Sequence, residues 1–341
     1  LISKSFFKTV IRYVLILAVM GVLLWLSLRG IKTAPGEDKL DYLLNAWGKA
    51  DKLWLFIMAI VAILSHVVRA ERWRLLVKSS GHQVSLGNSF LSLLVGYLVN
   101  LVIPRGGEVS RCYNLYKLEG APVETSFGTV VVERIVDMLC LLLLIGISFL
   151  VESHKLMAFI DTLPIGTEGS SFLIFAYMAI AGILSAAALL LLYKKHEGFR
   201  NFVKKIGKGF RDGLLSIFNL KNKTAFTIHS ILIWFLYFLM SYTVLQAFES
   251  TNQLGWDAVL SLFAIGAIAM AAPLPGGTGS YHVLVPQGLI YLYAVKDSDA
   301  VAFTFIFHGW QTLIMIVGGC LAILVTAIKT KNSKIDSKIK K

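Results

Sequence analysis

Charge is scarce in this chain of 341 residues. Asp, Glu, Lys and Arg make up 16% of it, where a soluble globular domain carries about 25%. With 56% hydrophobic residues and a mean hydropathy of +0.71, that shortage excludes a soluble enzyme, a disordered chain and a DNA-binding domain. It leaves a polytopic membrane protein. Cysteine is scarce too. Cys112, Cys140 and Cys320 are widely spaced and form no CxxC or Cys/His ligand pattern. That excludes a disulfide framework and a zinc site, and nothing points to a metal or cofactor. A GxxxxGK[ST] loop is missing, so no ATP-driven pump is encoded. HExxH and GxSxG are also missing, and no polar stretch is long enough for a catalytic domain. The chain is therefore expected not to be an enzyme. Its first apolar run is long and lacks a small-residue cleavage site, which argues against a cleaved signal.

What is present is apolar length. A helix needs about 20 apolar residues to cross a bilayer, and six stretches qualify: 10–28, 53–69, 126–150, 172–193, 225–247 and 300–328. Two others are interrupted. The run 88–103 ends in Pro104-Arg105-Gly106-Gly107, and 258–272 ends in Pro273-Leu274-Pro275-Gly276-Gly277-Thr278-Gly279, followed by a second short apolar piece, 281–295. Pro and Gly break helices. Broken backbone at membrane depth survives only where protein or a water-filled cavity shields it.

The net charge of +13 raises the question of sidedness. The N-terminus and segments 69–87, 104–124, 194–223 and 329–341 hold 25 Lys and Arg against 7 Asp and Glu. Segments 29–52, 151–171, 248–257 and 296–299 hold 7 against 11. By the positive-inside rule the first set is cytoplasmic, with both termini inside a multi-pass cytoplasmic-membrane protein. The alternation works only if 88–124 dips in from the cytoplasm and 258–295 dips in from outside. Each half then reads span, span, dip, span. A shift of 170 residues superposes Gly106-Gly107 on Gly276-Gly277, Ser110 on Ser280 and Gly96 on Gly266. The expected fold is an all-α polytopic membrane protein, with about six full transmembrane helices and two oppositely oriented re-entrant hairpins in an inverted-topology repeat. Such repeats with paired broken helices place substrate near the midplane. One membrane domain covers 1–328, its halves near 1–151 and 172–328. An amphipathic cytoplasmic segment, 197–223, carries Arg200, Lys204, Lys205, Lys208 and Arg211 beside apolar residues and is suited to an anionic leaflet. The Lys-rich tail 329–341 is expected to be cytoplasmic and disordered.

Several residues stand out against this apolar background. Glu133 and Asp137 are four apart and share a helix face, and Arg134 is spaced to pair with Asp137. A charge at membrane depth costs at least about 2.5 kcal/mol. The three therefore form either a buried ion network that fixes helix packing or a polar path for substrate. In the first dip Arg105, Glu108 and Arg111 flank Gly106 and Gly107. This is either an ordinary cytoplasmic turn or an anion site built from bare backbone N–H groups and arginine forks. The second dip offers Pro275, Gly276, Gly277, Thr278, Gly279, Ser280 and His282, as a packing kink or as a polar binding loop. Arg69 and Arg72 end the second span as headgroup anchors or substrate ligands. His308 and Gln311 lie within the last span, where His308 is a packing residue or a proton carrier.

Arg69-Ala-Glu71-Arg72-Trp73, Pro104-Arg105-Gly106-Gly107-Glu108, Glu133-Arg134-Ile135-Val136-Asp137 and Pro273-Leu274-Pro275-Gly276-Gly277-Thr278-Gly279 occur in that order. Together they resemble the transmembrane domain of lysylphosphatidylglycerol synthase/flippase proteins and their stand-alone relatives, over nearly the whole chain. The resemblance implies translocation of an anionic or zwitterionic phospho- or glycolipid between leaflets, without aminoacylation, because the chain ends at Lys341 with no synthase domain. The partners implied are membrane lipids and a separate lipid-modifying enzyme, not nucleic acid. Two other functions compete. One is ion-coupled transport of a small polar solute, and the other is an accessory role beside a lipid-modifying enzyme.

Overall fold

The computed structural model describes residues 18, 20–31, 38–162, 197–271 and 274–339, and among these the regular structure is entirely helical. The first part of the chain forms α1 (Met20–Arg29), α2 (Lys39–Lys49), α3 (Lys52–Ser79), α4 (Leu86–Asn100), α5 (Gly107–Glu119) and α6 (Val123–Thr162). The second part forms α7 (Glu197–Leu214), α8 (Lys223–Gln246), α9 (Trp256–Ala271), α10 (Ser280–Tyr293) and α11 (Asp297–Ile339). Four of these, α3, α6, α8 and α11, are long and apolar enough to cross a membrane, matching four of the six expected spans. Part of the span at 10–28 is α1. The span at 172–193 lies outside the described residues.

Local chemistry sets the helix ends. Asp51 caps α3 by accepting from Leu53 N at 2.8 Å, and Asn222 caps α8 by accepting from Ala225 N at 2.9 Å. Side-chain acceptors at these positions satisfy backbone donors that the first turn leaves open. Helices α4 and α9, of 15 and 16 residues, reach roughly 23 Å at the α-helical rise, short of the ~30 Å core. Each folds back into a hairpin. In the first, α4 and α5 touch near the tip, where a Cβ on Gly96 would lie 2.9 Å from the Gly107 carbonyl oxygen. They meet again at the base, where Glu119 accepts from Ser85 Oγ and Asn88 Nδ2, both at 2.7 Å. In the second, Gly266 packs under the Tyr281 ring, and Gly288 packs on Leu262 and Ile265.

Helices in the two parts of the chain start at similar spacings: Lys52 and Lys223, Leu86 and Trp256, Gly107 and Ser280, Val123 and Asp297 open helices 170–174 residues apart. The contacts correspond as well: α3 packs on α8, α4 on α11, and α9 on α6. Each hairpin thus rests against the long helix of the other half. The two tips meet, since a Cβ on Gly276 would lie 3.0 Å from Leu101 Cδ2.

The amphipathic segment forms α7 and packs on the start of α6, where a Cβ on Gly213 would lie 2.3 Å from the Thr125 carbonyl oxygen. α11 continues to Ile339, so 329–339 is helical. Lysine is a good helix former, and extending an existing helix avoids the cost of nucleating one.

Candidate functional site

Five charged side chains from α3, α5 and α6 alternate in sign along one ladder. Asp137 takes Arg69 Nη2 on Oδ2 and Arg72 Nη2 on Oδ1, each at 2.6 Å. Glu133 takes Arg111 Nη2 on Oε2 at 2.5 Å and has Arg72 Nη2 3.5 Å from Oε1. The order Arg69–Asp137–Arg72–Glu133–Arg111 carries three positive and two negative charges. Helical spacing builds it: Arg69 and Arg72 are three apart on α3, and Glu133 and Asp137 four apart on α6, so each pair shares a face. Arg69 Nη1 also donates to Tyr237 Oη at 2.9 Å, and Arg72 Nη1 to Ser230 Oγ at 3.3 Å. The Arg111 guanidinium lies 4.6 Å from the centre of the Trp73 ring, and Trp73 Nε1 donates to Thr129 Oγ1 at 3.0 Å.

Arg134 does not join the ladder. The spacing suggested Asp137 as its partner, but its Nη2 pairs with Glu108 Oε1 at 2.7 Å. Asp137 has both oxygens occupied by arginines from α3, and Arg134, one position on from Glu133, points toward α5 instead. The second Glu108 oxygen is buried without a partner.

A cavity of about 590 Å³ lies between the halves. Its polar lining is Arg69 and Asp137, the Arg134–Glu108 pair, Arg105, His66, Tyr97, Asn100, Tyr237, Ser241 and Gln311. Most of the other lining is apolar, including Met138, Leu141, Met240, Leu262, Phe263, Met270, Phe303 and Phe307. Both hairpin tips border it, through Leu101, Pro104 and Arg105 on one side and Leu274, Gly276 and Gly277 on the other. Arg105 is exposed, makes no ion pair among the described residues, and holds a left-handed backbone at φ 60°, which costs a non-glycine residue about 1–2 kcal/mol. Arg72, Arg111 and Glu133 do not reach the cavity; they lie behind Arg69 and Asp137.

Three of the four N–H groups of the glycine pairs are bonded within their own hairpin. Gly106 N donates to Ile103 O at 2.9 Å, and Gly107 N to Asn100 Oδ1 at 2.7 Å. In the second tip Gly277 N donates to Leu274 O, Thr278 N to Pro275 O and Gly279 N to His282 Nδ1. Ser280 Oγ donates to Ala269 O at 2.7 Å. Tight turns consume these donors locally, which the sequence pattern does not show. Gln311 borders the cavity. His282 and His308 stand behind the second tip with ring centres 4.7 Å apart, and His308 Nε2 is 2.9 Å from Gly276 O.

Four cavity residues were not anticipated: His66, Tyr97, Asn100 and Tyr237. A signal existed for three of them. His66, Arg69 and Arg72 recur every three residues on α3, and Tyr97 and Asn100 do the same on α4, so polar groups share faces within apolar runs.

A family model described as lysylphosphatidylglycerol synthase TM region matches residues 9–319. A UPF0104 membrane protein of Methanocaldococcus jannaschii is 33% identical over 140 residues, covering 40% of this chain and 37% of that one. Another, of Methanothermobacter thermautotrophicus, is 27% identical over 85% of this chain and 88% of its own. The glycosyltransferase AglD of Haloferax volcanii is 25% identical over 90% of this chain, which spans about half of AglD, 54%. No solved structure matches.

Proposed function

The chain belongs to the lysylphosphatidylglycerol synthase transmembrane-region family, and from that premise we propose that it moves an anionic or zwitterionic lipid between the leaflets of the cytoplasmic membrane. The carrying observation is the amphipathic cavity: arginines and carboxylates share one lining with a larger apolar surface, and both hairpin tips border it. A polar solute would leave most of that lining against a polar surface, whereas a lipid satisfies both kinds of surface. Arg105 and Arg134 receive the phosphate, with Arg69 and Asp137 deeper along the path. Arg72, Arg111 and Glu133 hold those groups in place. The matched helix starts and the exchanged contacts support an inverted repeat in which each hairpin is re-entrant. The basic segments orient both termini to the cytoplasm. The protein works as a translocator, not a catalyst, beside an enzyme that makes or consumes its lipid. The match to part of a relative named a glycosyltransferase supports a lipid-related membrane role.

The test is a photoactivatable phospholipid with its diazirine in the acyl chain, added to the reconstituted protein and followed by peptide mapping. Adducts on Met138, Leu141 or Met270 support the reading. Adducts confined to lipid-facing positions such as Leu143 and Leu150 refute it.

A further inference from the structure

Glu152 lies roughly 28 Å along α6 from Glu133, at a point where the helix breaks to φ −131°, ψ 40°. Its side chain is 6% exposed. Oε1 accepts from Lys155 Nζ at 2.5 Å, and Oε2 accepts from Ser261 Oγ on α9 at 2.7 Å and Tyr293 Oη on α10 at 2.5 Å. One carboxylate therefore ties α6 to both legs of the second hairpin. The charged and titratable groups facing it are Lys155 on its own helix, Tyr293 on α10, and Asp257 on α9, whose Oδ2 is 3.9 Å from Lys155 Nζ. Two carboxylates share one ammonium, so the cluster carries one net negative charge.

We propose that Glu152 is a proton-binding site that couples release of the second hairpin to proton uptake; this rests on the translocator reading of the cavity. The charge balance around Glu152 is the opposite of that in the arginine ladder. There two carboxylates are outnumbered by three guanidiniums, which do not give up protons. Around Glu152 the balance is reversed, and one added proton makes the cluster neutral. The step balances simply. A proton from the medium adds to Oε1, Lys155 Nζ turns to Asp257, and no other bond changes. The bonds from Ser261 and Tyr293 then lose their charge assistance, which roughly halves their strength. The hairpin base loosens from α6, and its tip, seated on Leu101 and the cavity, is free to move. Glu119, at the base of the first hairpin, accepts from Ser85 and Asn88, and Lys329 donates to Asn88 Oδ1; among the described residues no second carboxylate pairs with that lysine, so the device belongs to the second hairpin.

The experiment uses the full chain in lipid nanodiscs across a pH series, with two readouts. Infrared difference spectra report a protonated carboxyl group, and hydrogen exchange reports residues 256–293. In the parent chain acidification is expected to produce the carboxyl band and faster exchange with one shared midpoint. Glu152→Gln removes the band and exchanges fast at every pH. Asp257→Asn removes an exposed negative charge, favours ionised Glu152 and lowers its proton affinity about threefold or more. Its surface position leaves folding intact, so it decides the matter if the Gln variant does not fold. An unshifted midpoint in Asp257→Asn, a band without an exchange change, or a Glu152→Gln variant that titrates like the parent overturns the proposal. Neither readout needs transport. A chain that titrates as described but moves no lipid overturns the translocator reading alone.

Discussion

Glu133→Gln separates the framework half of the ladder from the half that faces the cavity. The substitution keeps the shape of the side chain and removes one charge, so the ladder goes from one net positive charge to two. Glu133 and Arg72 are fully buried and Arg111 nearly so. Arg72 retains Asp137 at 2.6 Å, so the loss falls on Arg111, left with the Trp73 ring 4.6 Å away. Removing one partner of a buried pair costs about 3–5 kcal/mol, because the other charge remains buried. Removing Arg111 as well relieves that burden. Glu133→Gln with Arg111→Gln is therefore expected to be more stable than Glu133→Gln alone, with a coupling of about 2 kcal/mol. Cys112, fully buried beside Arg111, provides the assay. In a background without Cys140 and Cys320, reaction of Cys112 with a fluorogenic thiol reagent during heating reports melting of this region. An unchanged melting temperature with abolished lipid transport would refute the reasoning and place Glu133 in the mechanism.

Other substitutions follow from the geometry. Gly107→Ala places a Cβ 2.1 Å from the Gly96 carbonyl oxygen, and overpacking of this kind costs about 1–3 kcal/mol; a chain that melts like the parent would contradict the tight α4–α5 contact. Gly276→Ala meets milder crowding, 3.0 Å from Leu101 Cδ2 at φ 58°, so the protein should fold, lose about 1–2 kcal/mol and slow lipid movement; an unaltered rate would remove the tip contact from the mechanism. Arg105→Gly relieves a left-handed backbone and should gain about 1 kcal/mol while weakening binding of an anionic lipid. Equal affinity for anionic and neutral lipids before and after the change would count against Arg105 as the phosphate ligand.

The architecture was legible because membrane depth punishes polarity. Apolar runs of the right length marked α3, α6, α8 and α11, and Pro-Gly breaks marked both hairpins. Helix starts in the two parts of the chain stand 170–174 residues apart, near the shift of 170 read from the glycine pairs. The site was only half legible. Position on a helix face identified Glu133 and Asp137, but spacing could not say whether Arg134 turns toward Asp137 or toward Glu108. Nor could it separate Arg69, which reaches the cavity, from Arg72, one turn further on and wholly buried. Tyr237 was invisible for a different reason: a tyrosine in an apolar run reads equally well as packing, and only the α3–α8 contact brings it to Arg69. The glycine tips were legible as breaks but not as hydrogen-bonding patterns, because a loop rich in Gly and Pro does not say that Gly106, Gly107 and Gly277 spend their donors locally.

The measurement closest to the central claim is leaflet exchange of a fluorescent phospholipid in vesicles reconstituted with the purified chain, read by chemical quenching from outside. Exchange well above that of protein-free vesicles is expected, reduced by Arg105→Gly and by Gly276→Ala, with both variants folded. Exchange no faster than in protein-free vesicles, from a protein shown to be folded and correctly inserted, would contradict that claim.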